Sequence, residues 1–239
     1  MIYITNTPNN AGVSIHGDYM DFKELYDALY EIVGEEYQYP NYESSRLRVL
    51  GVCYDIRHAF MGDRELEFVD NGIDQNVMKK QNTIAHSKNV YLVANAIWPE
   101  IMFVTMALND FILLYKKECK HWEWDKNVTV VRKFQMGVAE CIKNTVSDTS
   151  YKRMMNLMVR GYTWYENYAT QYLDLINCRF LEMNKEKRLK SIPSMAKRIA
   201  EQGTEYNDIR NEVINAARRY NCDLEDVALN LDYPEDIDW

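Results

Sequence analysis

Glu100, Asn109 and Asp110 are polar side chains set in the most apolar stretch of the sequence, NVYLVANAIWPEIMFVTMALNDFILLYK, over residues 89–116. A helix that is apolar all round lies inside a protein, so each of these groups must find a partner near or within the core. Asp55 and His58 stand one helical turn apart further upstream. Carboxylates held away from water beside an imidazole are the groups that general acid–base hydrolysis uses. Glu100, Asp110, Asp55 and His58 are therefore the candidate catalytic residues of a hydrolase or nucleotide-processing enzyme. That chemistry needs them to converge, and Glu100 and Asp110 are too far apart along one helix to meet on adjacent turns. The structural alternative is simpler. A carboxylate in the first turn, where Glu100 falls, is stabilised by the helix dipole. Asn109 and Asp110 can tie down a loop or pair with an arginine such as Arg57.

A second set lies in the last seventeen residues, which carry seven acids and no base. The acids alternate with apolar residues, including Tyr233, Ile237 and Trp239, which a purely solubilising tail would not need. These three are the candidate partner-binding residues, docking on a basic surface of the same chain, such as residues 179–198, or of another subunit.

The familiar catalytic and cofactor signatures are missing. The sequence holds no HExxH, CxxC, GxGxxG, Walker A or GxSxG pattern, so neither a metal nor a cofactor is expected. Five scattered cysteines suit free thiols in a reducing compartment. Net charge is −8, with −9 in residues 1–75 and −7 in the tail around a mildly basic middle. Nucleic acid is not an expected partner on that balance. The weaker alternative is nucleic-acid binding by helices over residues 179–219, where a basic stretch, Arg179–Arg198, is found. No apolar run is long enough to span a bilayer, and the first base is Lys23, so a cytoplasmic protein without membrane attachment is expected.

The elements that must position these residues are legible from periodicity. Nine glycines and five prolines are about half the usual share, which points to a helix-rich chain. Met1–Thr5 and Gly12–His16 read as strands around a turn. Phe22, Leu25, Tyr26, Leu29, Ile32 and Val33 mark a helix over 21–33, with Asp21 as its N-cap, Glu24 completing a capping box, and Gly34 as its stop. A second helix runs from Ser44 to Met61. Arg64–Val69 and Val90–Ala96 read as strands, and the latter leads through Trp98-Pro99 into the central helix, where proline suits the first position. The next helix covers 127–146. Beyond it, Thr149–Lys187 reads as one long helix with two apolar seams. The first contains Met155, Met158, Tyr162, Tyr165, Tyr172, Ile176 and Phe180; the second includes Gly161, a point of close backbone approach. Ile192-Pro193-Ser194 reads as an interruption before two further helices near 194–202 and 204–221.

The segments ITNTPNNAGVSIHGDYMDFKELYDALYEIVG, ELEFVDNG and AIWPEIMFVTMALNDFI resemble an uncharacterised bacterial family of unknown function, over about residues 1–111. The resemblance implies a bacterial origin and carries no site residues with it.

The fold expected is α+β and predominantly helical: a small antiparallel or mixed N-terminal sheet with helices, followed by a C-terminal helical bundle. Residues 1–222 form a single domain on this reading, sheet-containing to about 97 and helical from 98, with 223–239 as an acidic-aromatic tail. The function expected is that of a non-catalytic interaction or assembly protein acting through its helical half and tail, as a homodimer or with a protein partner.

Overall fold

The structure, a computed structural model, describes residues 1–80, 86–119, 122–159, 164–234 and 236–239. Strands β1 (Tyr3–Asn6) and β2 (Gly12–Gly17) form a hairpin. Its turn is closed by Thr7, whose main-chain N–H donates to Gly12 O and whose Oγ1 accepts from Gly12 N, each at 3.0 Å. Helix α1 (Tyr19–Val33) follows, then α2 (Glu43–Met61), β3 (Leu66–Asp70), the short α3 (Gln75–Lys80) and β4 (Lys88–Ile97). The four strands make one antiparallel sheet in the order β1-β2-β4-β3. A Cβ built on Gly12 would lie 2.0 Å from Ala96 O, so only glycine lets β2 approach β4 this closely.

The cap of helix α1 lies three residues before the expected one. Asp18, not Asp21, is the N-cap: its Oδ1 accepts from Asp21 N at 2.9 Å while Asp21 Oδ2 accepts from Asp18 N at 3.1 Å. Two aspartates three apart satisfy each other's amides, and the shorter chain competes well with a Glu24 box. Gly34 ends the helix at φ 74° as expected.

Strand β4 passes without a loop into α4 (Trp98–Glu118), with Pro99 in its first turn. From Ile101 to Leu108 every residue of α4 is buried. It packs against α1 and α2 on one side, and on the others against α5 (Lys126–Thr145), α6 (Asp148–Val159), α7 (Gln171–Leu181) and α8 (Lys185–Glu201). Helix α9 (Thr204–Tyr220) packs on α7. One hydrophobic cluster runs from Ile4 in the sheet to Tyr206 in α9, and Ile237 and Trp239 pack on it from outside. The fold is α+β, predominantly helical, with a small antiparallel N-terminal sheet.

The single helix expected over 149–187 is three helical pieces. Helix α6 runs to Val159, residues 164–170 are irregular, and Glu182–Asn184 separate α7 from α8. The break has identifiable causes. Tyr165 N donates to Asp110 Oδ2 and Asn167 N to Asn41 O, so two amides are taken out of helical pairing. Asn167 sits at φ 50°, and Asn184 caps α8 by accepting from Lys187 N at 3.0 Å. Met158, Tyr165, Tyr172, Ile176 and Phe180 of the expected seam are all buried; Gly161 and Tyr162 lie outside the described residues. Pro193 does not interrupt: α8 runs through it.

Candidate functional site

Glu100 stands in the first turn of α4, where it faces α2 and α7. Its Oε2 accepts from Asn177 Nδ2 at 2.8 Å and lies 3.6 Å from an Arg48 guanidinium nitrogen. Arg48 in turn pairs with Asp174 at 2.5 Å and donates to Thr170 O at 3.0 Å. Burial raises the Glu100 carboxyl above its ordinary range, while Arg48 and the Asn177 amide pull it back.

Asp110 lies ten residues further along the same unbroken helix, about 15 Å away along its axis. Its Oδ2 accepts from Tyr165 N at 2.7 Å, and burial pushes its carboxyl up to about 6. Asn109 is held by Arg132, at 2.6 Å from its Oδ1, and donates to Met158 O at 2.9 Å. Arg132 fills the place considered for Arg57, which instead lies over the Tyr54 ring. The two carboxylates of α4 thus belong to two separate networks.

Asp55 and His58 also part company. Asp55 pairs with Arg64 at 2.8 Å, and His58 Nδ1 lies 3.1 Å from Asp63 Oδ2. What the fold does assemble is a cleft of about 920 Å³ between α2, the second half of β4, the first turn of α4 and the chain's last segment. Arg48, Asp55, Arg64, Asn95 and Glu100 line it, with Tyr233, Ile237 and Trp239 forming one wall. Of the carboxylates singled out in the sequence, Asp55 and Glu100 meet here and Asp110 does not. His58 reaches the cleft only through Asp63, which lines it. Burial raises the Tyr233 phenol, and Glu100 nearby raises it further.

The tail docks on its own chain. Asn9 donates through its main-chain N–H to Trp239 O and through Nδ2 to Asp238 Oδ1. Arg188 of α8, itself buried, donates to Asp238 O at 3.0 Å and to Leu181 O at 2.7 Å. Gln171 holds Leu224 O and Val227 O at 2.7 and 2.9 Å. Arg48, Asp174, Asn177 and Arg188 were missed in the sequence. Arg48 had a readable sign, since Asp55 lies seven residues on, on the same helical face. In the basic stretch, Arg179 and Arg198 both pair with Glu205 and Lys197 with Glu201, which leaves less positive charge for phosphate. Among the described residues no three His, Cys, Asp or Glu side chains are grouped to hold a metal ion, and no helix is long and apolar enough to cross a membrane.

A second surface lies at the sheet's edge. Side chains alternate across a strand, and the register places Ile4, Ile15, Leu92 and Ala94 on the face that meets the helices. That same face continues through the pairs Leu66↔Leu92 and Phe68↔Val90. There the cover ends: Leu66, Phe68 and Val90 are 56, 64 and 49 % exposed. Among the described residues, the sheet order leaves the outer side of β3 without a neighbouring strand. Val93 N donates to Glu65 O, so the main-chain groups of Glu65, Glu67 and Val69 turn toward β4. By alternation those of Leu66, Phe68 and Asp70 turn outward.

Sheet, helices, cleft and edge define a mostly helical α+β protein with an uncovered apolar strip on its outermost strand. The chain belongs to the family described as Domain of unknown function (DUF6904), whose model matches residues 2–239. The match takes in the helical half as well as the segments whose resemblance was visible in the sequence. No curated protein and no solved structure matches the chain.

Proposed function

We propose that the chain is a non-catalytic interaction or assembly protein of the bacterial cytoplasm. The observation that carries this reading is the continuation of the sheet's core face into exposed Leu66, Phe68 and Val90 beside a strand edge that no other strand pairs among the described residues. Such an edge invites another strand unless charge, proline or a bulge blunts it. Residues 66–70 hold no proline and pair continuously with β4; their two charges are Glu67, drawn to His16 and Tyr3 on the outer face, and Asp70 at the strand's end, which accepts from Gly72 N. The helical half and the tail were the surfaces first expected to meet a partner. Ile237 and Trp239 pack on the chain's own core, the same-chain alternative, and we place the proposed contact on the sheet. Native mass spectrometry of the full chain beside Phe68→Lys tests the reading. An oligomer or fixed-ratio complex that the variant loses supports it; a complex indifferent to Phe68, or none, overturns it.

A second reading, a hydrolase or nucleotide-processing enzyme, is favoured by a cleft lined by both Asp55 and Glu100. Of the four candidate residues those two line it, beside Asp63 and Glu65, and each of the two is held by an arginine. Hydrolysis of generic ester or phosphoester substrates that Glu100→Gln abolishes, without loss of fold, is the result this reading requires.

A further inference from the structure

The geometry points to a second copy of this chain as the occupant of the β3 edge, its β3 lying antiparallel to the first about a two-fold axis through Glu67. The inference rests on the interaction reading above and names its partner.

An antiparallel strand pairing with itself is self-complementary, which is what a two-fold dimer requires. Both copies keep the same face toward their helices, so residue i must meet a residue of equal parity and the axis must pass through a residue. Leu66, Phe68 and Asp70 carry the outward main-chain groups, and these must pair with one another. An axis at Glu67 satisfies this by setting Leu66 against the partner's Phe68, and Phe68 against the partner's Leu66. On the core face, Leu92 and Leu66 then run on into the partner's Phe68 and the partner's Val90 as one apolar row, and the symmetry repeats it. The same register sets Arg64, just before β3, opposite the partner's Asp70; two opposite-charge pairs form at the ends of the junction if Arg64 exchanges Asp55, its partner at 2.8 Å in the single chain, for that carboxylate. An axis at Phe68 would instead face Leu66 with the partner's Asp70, an apolar side chain against a carboxylate. Charge complementarity and apolar matching both select Glu67.

The cost of this register is one like-charge meeting, Glu67 against the partner's Glu67, which opposes pairing. In the single chain Glu67 Oε2 lies 2.8 Å from His16 Nδ1 and accepts from Tyr3 OH at 3.1 Å on the outer face. Both contacts draw the carboxylate toward its own sheet. The like-charge meeting also supplies a test of register. Glu67→Gln tightens the dimer, whereas an axis at Phe68 predicts no such gain.

The experiment uses the full chain at concentrations from about 5 to about 200 µM, since a junction this small sits at the weak end of protein interfaces. Sedimentation equilibrium is run on the wild type, Glu67→Gln and Phe68→Lys, and mild oxidation is applied to Glu67→Cys. Directly opposed residues of a non-hydrogen-bonded pair have Cα atoms about 4.5 Å apart, within disulfide reach. The results expected are a wild-type dimer, at least a threefold lower Kd for Glu67→Gln, a monomer for Phe68→Lys, and a disulfide-linked dimer from Glu67→Cys that the wild type does not form. A crosslink from Phe68→Cys and none from Glu67→Cys overturns the register. A monomeric wild type whose host complex is nevertheless lost in Phe68→Lys overturns the second copy and leaves the interaction reading standing. A dimer that survives Phe68→Lys overturns both. Phe68 is exposed, and an unchanged circular dichroism melt confirms that its variants fold.

Discussion

Tyr165 donates its main-chain N–H to Asp110 Oδ2 at 2.7 Å, joining a buried carboxylate of the central helix to a segment 55 residues later. Burial holds the Asp110 carboxyl up at about 6, against an ordinary 3.8. Between those values the folded chain binds more protons than the unfolded one, so stability falls as pH rises through that window and levels above it. The change amounts to about 3 kcal/mol. Asp110→Asn keeps an acceptor for Tyr165 and removes the titration. Urea unfolding from pH 4 to 8 should show the decline in the wild type and lose this component in the variant.

Arg48 is the hub of the cleft, touching Glu100, Asp174 and Thr170. Arg48→Met leaves Glu100 in the core with only the Asn177 amide. Removing one member of a partly buried pair strands the other, at about 2–4 kcal/mol. Adding Glu100→Gln should return much of that loss, because the stranded charge goes with it. A double-mutant cycle by chemical denaturation measures the coupling, and additive losses would show that the pair is not a unit.

Arg188 fastens the tail. Its guanidinium donates to carbonyls of Leu181, Asp238 and Asn9, from three separate segments. Arg188→Leu should destabilise by about 2–3 kcal/mol and expose residues 228–239 to proteolysis well before the helices are cut. Limited trypsin-independent digestion, followed by mass spectrometry, reports the order of cleavage. Simultaneous loss of tail and helices would mean that Arg188 supports the whole fold rather than the tail.

Gly12 is the tightest point of the sheet. A methyl group at this position meets Ala96 O and the Ile97 Cα on the neighbouring strand. Gly12→Ala therefore has to part β2 from β4, and a loss of about 3 kcal/mol or more is expected. Gly51, where an added Cβ meets nothing within 4 Å, serves as the control. Gly51→Ala lies inside α2 and should gain about 0.5–1 kcal/mol from helix propensity.

The local elements were legible because each carries its own pattern. The β1–β2 hairpin, the apolar face of α1 with Gly34 behind it, the buried stripe of α2, and Pro99 opening α4 all follow from neighbours in sequence. What escaped depends on partners far away. The apolar steps through Tyr165 and Tyr172 suit one helix perfectly well; nothing nearby says that Asp110 and Asn41 will claim the amides of Tyr165 and Asn167. Pro193 looked like a break, yet the helix continues through it. Arg48 and Asn177 read as ordinary helical residues until Glu100 is brought between them. Tyr233, Ile237 and Trp239 were expected to dock on the same chain or on another subunit; Ile237 and Trp239 pack on their own chain's core, and the choice between the two surfaces depended on contacts such as Arg188 with Asp238 that no local pattern announces.

The contact between Asn9 and Asp238 joins positions 229 apart, and strand β2 finds β4 only some eighty residues downstream. Pairings of such long span form late, because the chain's search entropy has to be overcome before they yield anything. The helices can therefore assemble around α4 while the cleft still lacks its Tyr233–Trp239 wall. Unfolding should run the other way, with the wall leaving first as a local opening of low free energy. The Tyr233–Trp239 wall is thus expected to open the cleft to water on a faster clock than the core beneath it.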